Sequence, residues 1–291
     1  MHRRRALTIL AATALCPLPS RAEETRIALG AEARMTLHGP PEVTARARAR
    51  AWAEMERIER VFSLYDPGSA LSRLNAAGRL NAPPPELLEV LALAGQLHVA
   101  TGGRFDPTVQ PLWLAHANGG DTKAARRLVD WDGVTVSPEA VTLRPGQALT
   151  LNGIAQGYAT DRVTAVLAEE GLIHALVEIG EFRALSGPFR LGVEDPAHGR
   201  LGQVTLDGTA CATSSPGAMI LPDGAGHILD PRGGAPLWST VTVVAAQAAL
   251  ADGLSTALCL ANAAEARRIL DRLGPGLRAT AVTTAGDLFT L

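Results

Sequence analysis

The stretch Asn152-Gly153-Ile154-Ala155-Gln156-Gly157-Tyr158-Ala159-Thr160-Asp161 marks the point where short strands give way to a helix. A β-like apolar run, Ala148–Leu151, precedes it, and a helix-like run, Arg162–Glu170, follows. Two glycines at such a junction let backbone N–H groups approach a ligand, and a helix start there favours anionic groups such as phosphates. The same glycines also serve turn geometry alone. Taken singly, the turn leaves both readings open.

Working outward, the periodicity changes character on the two sides of this junction. Upstream, residues 41–62 read as an amphipathic helix with Ala51, Met55, Ile58 and Phe62 at three- and four-residue steps behind Pro40-Pro41. The segment Ser63–Gly78 reads as a polar loop, Pro85–Ala100 as a second helix, and Thr122–Val129 as a short one. From Gly133 the texture becomes strand-like, with Val134–Ser137, Ala140–Leu143 and Ala148–Leu151 separated by Pro and Gly turns. After a helix over 156–170, further strands are expected at Ala175–Ile179, Phe189–Val193, Gln203–Leu206, His227–Leu229 and Val241–Ala245. Helices Ala248–Leu260 and Ala263–Leu273 and a strand pair within Ala279–Leu291 close the chain. Strands grouped together, with helices set apart, predict an α+β fold: antiparallel sheets with flanking helices.

The 291 residues are 47% hydrophobic with a net charge of −2, which suits a globular core and argues against a nucleic-acid binder. Lys123 is the only lysine beside 26 arginines. The N-terminus reads as an address: Arg3-Arg4-Arg5, an apolar Ala6–Leu18, then Ser20-Arg21-Ala22 as a cleavage site. Paired arginines before a modest apolar region fit a twin-arginine signal and a periplasmic destination. The expected division is therefore a leader over 1–22 and one domain over 23–291. Removing the leader takes four arginines and no acids, moving the net charge to about −6. The apolar run is too short to span a bilayer. Cys211 and Cys259 lie in apolar surroundings and read as buried thiols rather than a disulfide.

Four loops are richly decorated. Phe62–Ser69 carries Tyr65, one of two tyrosines, whose ring suits a flat ligand. Phe105-Asp106-Pro107-Thr108 reads either as Asp-Pro turn chemistry or as a ligand contact. Gly226–Gly234 places His227, Asp230 and Arg232 within six residues, an acid/base group beside a phosphate-binding cation. Within Ala251–Ala257, Asp252 and Thr256 stand at i and i+4 and share a helix face. A carboxylate with a hydroxyl suits part of a Mg²⁺ site. An acid serving the helix dipole beside a buried Thr explains the same pair.

Together the loops resemble the ApbE family, the FAD:protein FMN transferases. The matching segments are Phe62–Asn75, Thr101–Val109, Leu151–Asp161, Ala210–Ser214, His227–Gly234 and Asp252–Ala257, in that order along the chain. The resemblance implies a single ApbE-like domain that uses Mg²⁺ to cleave FAD, joins FMN to a Thr or Ser hydroxyl of a target protein, and releases AMP. It implies Asp252, Thr256 and the Ala155 carbonyl as metal ligands, and Gly153 and Gly157 along the pyrophosphate. Tyr65 and Asp106 would place the flavin end, with Thr213, Gly180 and Arg232 also lining the site. His227 would be the acid/base or positioning group, with Asp230 orienting it. Three departures stand out: Gln156 where the family has Lys, Glu181-Phe182 within the usual Gly-Gly-Asp, and Ser215 where Gly is common. Divergent periplasmic members resembling NosX supply FMN to a membrane partner, so the implied acceptor is an exported or membrane flavoprotein such as a NosR-like protein. Two other readings stand beside transfer: simple FAD pyrophosphatase activity, and a non-catalytic FAD-binding accessory protein.

Overall fold

The computed structural model describes residues 25–291; the expected leader lies outside them. The chain opens with a hairpin, β1 (Arg26–Ala28) and β2 (Ala31–His38). Helix α1 (Pro41–Phe62) starts on proline, which costs nothing where the N–H has no helical partner, and buries Ala51, Met55, Ile58 and Phe62 as expected. The presumed loop that follows contains a helix, α2 (Ala70–Ala77). The Ser69 hydroxyl accepts from the Ser72 N–H at 3.0 Å to start it, and Gly78, at φ +68°, ends it.

Next come β3 (Arg79–Asn81), α3 (Pro85–Thr101), α4 (Gln110–Asn118) and α5 (Thr122–Arg126). Then β4 (Thr135–Val136) and β5 (Ala140–Thr142) form a small three-stranded sheet with β3. The central helix α6 (Ala155–Glu169) leads into β6 (His174–Ile179) and β7 (Glu181–Ala184). Strands β8 (Phe189–Asp195) and β9 (Gly199–Leu206) pair with each other, and β10 (Ala210–Ser214) and β11 (Thr240–Ala245) return to the main sheet. Helices α7 (Ala248–Leu258) and α8 (Ala263–Leu273) and strands β12 (Arg278–Val282) and β13 (Leu288–Thr290) finish the chain.

The main sheet has eight strands in the order β1-β2-β6-β7-β10-β11-β12-β13, every pairing antiparallel, so the α+β expectation holds. Helix α6 packs on β6 and β7, α7 packs on β10 and β11, and the two helices pack on each other; α1 covers α6 from outside. All six residues of β11 are buried, as expected for a strand covered on both faces. This layering sets the start of α6 beside α7.

Two expected strands are absent. Ala148–Leu151 pairs with no strand, because the Asn75 side chain serves both polar groups of Leu149: Nδ2 donates to its carbonyl at 2.8 Å and Oδ1 accepts from its N–H at 2.7 Å. His227–Leu229 is irregular. An isolated bridge between Ile220 and Gly226 precedes it, and the His227 N–H donates to the Met219 carbonyl at 3.1 Å. Strand β2 escaped the sequence reading because its buried positions, Ala31, Ala33 and Met35, lack the β-branched residues that announce a strand. Among the described residues no helix is long and apolar enough to cross a membrane. Cys211 and Cys259 are both buried and unpaired.

Candidate active site

The site begins with Asp161 rather than with the glycines. Its carboxylate accepts from the N–H groups of Ala248 and Ala249, at 2.8 and 3.0 Å, and pairs with Arg183. An acid from α6 thus satisfies the otherwise unpaired first turn of α7, fixing the helix that carries Asp252 and Thr256. Nothing in the sequence marked this role, since Asp161 lies 87 positions before Ala248.

Asp252 is buried on α7, where its Oδ2 accepts from the Gly157 N–H at 3.1 Å. Burial pushes its carboxyl up to about 7, opposed by the Gly157 N–H and reinforced by Asp161. Glu181, the first residue of β7, is buried as well, and its Oε2 accepts from the Thr213 N–H at 3.2 Å. Burial, and then the neighbouring Asp252, push the Glu181 carboxyl well up. Among the described residues neither acid has an ion-pair partner. Two buried acids facing no cation form a site that favours one.

The Thr256 hydroxyl lies beside this pair. A Cβ at Gly153 would sit 3.0 Å from Thr256 Oγ1 and 3.5 Å from the Phe105 ring, so glycine there keeps space open at the hydroxyl. Carboxylate and hydroxyl oxygens are the donors Mg²⁺ takes. Among the described residues no group of three His, Cys, Asp or Glu is gathered to hold a metal ion. The residues fit the metal that the resemblance implies. Ala155 contributes the first turn of α6 next to Gly157, so its backbone belongs to the same junction.

Two residues of the opening stretch do something other than face a pyrophosphate. A Cβ at Gly157 would meet the Ala248 carbonyl oxygen at 2.4 Å, so this glycine permits the close approach of α6 and α7, and its N–H is spent on Asp252. Gln156 is folded back. Its Nε2 donates to the Leu29 carbonyl at 3.1 Å, and a Cβ at Gly180 (φ +76°) would lie 2.6 Å from its Oε1. Gln156 therefore ties the β1–β2 turn to the β6–β7 turn, and Gly180 is glycine for both conformation and space.

A second group forms an open cleft of about 240 Å³ lined by His98, Gly103, Asp106, Asp130, Trp131 and Arg232. Asp106 Oδ1 accepts from the Thr108 N–H at 2.8 Å and from its hydroxyl at 2.5 Å, while His98 Nδ1 stands 3.6 Å from Oδ2. Burial raises the Asp106 carboxyl against those bonds. One Asp106 oxygen thus closes the turn, and the residue also lines the cleft. His98, which sequence reasoning missed, also bonds the Phe105 carbonyl at 3.1 Å. Phe105 joins the two regions, since its ring lies beside both Gly153 and Gly253.

On the Gly226–Gly234 loop, His227 Nδ1 is buried without a hydrogen-bond partner, and burial pushes the imidazole down against the pull of the Met219 and Pro216 backbone. One ring nitrogen is therefore uncommitted. Asp230 does not orient it. The Asp230 carboxylate accepts from the Arg232 N–H at 2.8 Å, and Arg126 Nη1 donates to the Asp230 carbonyl at 3.0 Å, so Asp230 holds its own turn. Arg232 keeps its guanidinium half-exposed at the cleft, 3.8 Å from Asp230. Thr213 supports the site through its N–H and pairs its hydroxyl with Thr242 at 3.0 Å. Tyr65 stands in the turn after α1 with 74% of its surface exposed, and no hydrogen bond links it to the Asp252 cluster.

Helix-held acid, open glycine and decorated loops define a member of a known class. The ApbE family model matches residues 29–281, and the chain belongs to the ApbE family. A Rhodobacter capsulatus protein named FAD:protein FMN transferase is 30% identical over 295 residues, covering 91% of this chain and 56% of that protein. This chain thus spans little more than half the length of that relative. The crystal structure of the Thermotoga maritima ApbE protein matches with a TM-score of 0.82 at 26% identity, over 92% of this chain and 96% of that one. The apo Pseudomonas stutzeri flavinyl transferase ApbE matches with a TM-score of 0.77 at 26% identity, over 97% and 95%.

Proposed function

We propose that this chain is a Mg²⁺-dependent FAD:protein FMN transferase. The acceptor's Thr or Ser oxygen forms a bond to the FMN phosphorus, the bond from that phosphorus to the bridging oxygen breaks, and AMP leaves with that oxygen. Asp252, Thr256 and the Ala155 carbonyl would hold the metal, which when bound neutralises charge on the pyrophosphate and the departing phosphate. His227, on the Gly226–Gly234 loop, would be the acid/base or positioning group. Arg232 would bind phosphate, and Tyr65 and Asp106 would help place the flavin end. The observation that carries the reading is the buried, uncompensated Asp252 beside a Thr256 hydroxyl that Gly153 leaves open.

The test is incubation of the protein with FAD, Mg²⁺ and an acceptor domain, reading free AMP and covalent, fluorescent FMN. AMP and FMN without any labelled acceptor would make it a pyrophosphatase. Co-purified FAD with no metal-dependent product would make it a passive flavin carrier. Export through the twin-arginine route to the periplasm is the companion proposal, supported by Arg3-Arg4-Arg5 and the short apolar run after it. A fusion of residues 1–22 to a reporter that remains cytoplasmic would reject it. On that reading the acceptor is a flavoprotein exposed to the same compartment, with a NosR-like membrane protein the first to try.

A further inference from the structure

The hydroxyls around Thr256 form a chain whose direction follows from one fixed end. Ser255 Oγ donates to the Asp252 backbone carbonyl at 2.9 Å, and a carbonyl only accepts. A hydroxyl has one proton, so Ser255 must accept from Ser214 Oγ, 2.7 Å away. Ser214 has then spent its own proton and must accept from Thr256 Oγ1 at 3.3 Å. The Thr256 proton therefore points toward Ser214, and both its lone pairs are left for the side that Gly153 keeps open.

We infer that Ser214 and Ser255 are positioning residues that fix the rotor of Thr256 so that its oxygen acts as a cation ligand. This rests on the metal reading of the preceding subsection and adds to it two residues from outside the ligand set. The arrangement is rigid at every link. Ser214 and Ser255 are both buried, Ser214 stands opposite Val241 in the β10–β11 register, and Cys259 Sγ approaches the Ser214 carbonyl at 3.5 Å. Without Ser214 the Thr256 hydroxyl loses its only hydrogen-bond partner among the described residues. A helical Thr then turns its proton to a carbonyl of the preceding turn, which moves its lone pairs away from the open space.

The test is Mn²⁺ binding to the full chain, free of FAD, followed by electron paramagnetic resonance, with thermal unfolding as the fold control. Ser214→Ala is expected to weaken Mn²⁺ binding about five-fold, the scale of one net hydrogen bond, with a melting temperature close to the parent. Ser214→Thr keeps the hydroxyl and is expected to restore binding to within about two-fold, a rescue that loss of packing would not give. Ser255→Ala frees the Ser214 proton to point at Thr256, reverses the chain, and is expected to weaken Mn²⁺ binding as well. If Ser214→Ala and Ser255→Ala fold and bind Mn²⁺ like the parent while Asp252→Asn does not bind, the positioning role is wrong and the metal site stands. If the parent itself binds no Mn²⁺, or Asp252→Asn binds it equally well, both readings fall. Should Ser214→Ala not fold, the Ser255→Ala result decides alone.

Discussion

The Asp252 cluster and the Asp106 cleft both present acids, yet they handle charge in opposite ways. In the cleft, Asp106 has two bonds from Thr108 and a histidine nearby, Asp130 pairs with Arg144, and Arg232 stands at the rim. At the α6–α7 junction, Asp252 and Glu181 face one N–H each and, among the described residues, no ion-pair partner. The cleft is complete by itself and open to a polar ligand. The junction is complete only when something positive enters it. On the proposed function, ligand recognition in the cleft is separate from the charge neutralisation that phosphoryl transfer needs.

The largest break in that contrast should come from Asp252→Asn, which removes the charge that draws the cation while keeping the shape. AMP release with saturating FAD is expected to fall at least about 100-fold, and added Mg²⁺ should no longer raise the melting temperature. A variant that retains a tenth of the parental rate would place the metal elsewhere. Gly157→Ala comes next. Its Cβ meets backbone rather than a flexible side chain, so the helices must part, at a cost of about 1–3 kcal/mol in urea unfolding. An unchanged midpoint would show that the helix contact is looser than described.

The uncompensated pair also predicts a pH signature. Both folded-state carboxyls titrate above their unfolded values, so the folded protein holds protons that the unfolded chain has released. The contribution of this pair to the stability of the metal-free protein should therefore decline as pH rises from about 4 to about 7, against the opposite trend from the lowered carboxyls of Glu54, Glu170, Asp195 and Glu265. Asp252→Asn should flatten that slope, and Mg²⁺ should oppose it at pH 7. An Asp252→Asn variant whose melting temperature follows the parent's at every pH over the same interval would contradict the contrast between the two regions.

On the cleft side the effects should be gentler. Arg232→Ala is expected to raise KM for FAD roughly five- to ten-fold with kcat nearly unchanged, since a half-exposed guanidinium binds substrate and transition state alike. The smallest effect belongs to Gln156→Lys. Gln156 braces two turns, so the lysine the family uses there should change AMP release by less than about three-fold, from the scale of one lost neutral hydrogen bond. A gain of ten-fold or more would mean that the side chain leaves its brace and reaches the pyrophosphate.

Much of this was legible in the linear order of residues, and the exceptions have physical causes. Asp252 and Thr256 were visible because i and i+4 on a helix share a face whatever surrounds them. The α1 stripe and the antiparallel α+β class followed from periodicity. The interval Ala148–Leu151 misled because an apolar run does not reveal that the Asn75 side chain takes the place of a neighbouring strand. Asp230 looked like a partner for His227 by proximity in sequence, whereas its carboxylate folds onto Arg232 two residues on.

The sequence alone determined the family and the chemistry-bearing loops, because spacing and residue identity are local properties. Tertiary structure alone decided who serves whom. Asp161 caps a helix 87 residues away, Gly157 yields to the α7 backbone, Glu181 on β7 meets Asp252 on α7, and Ser214 reaches Thr256. Burial and hydrogen-bond direction are set by neighbours distant in sequence, and only the packed layers of helix and sheet bring those neighbours together.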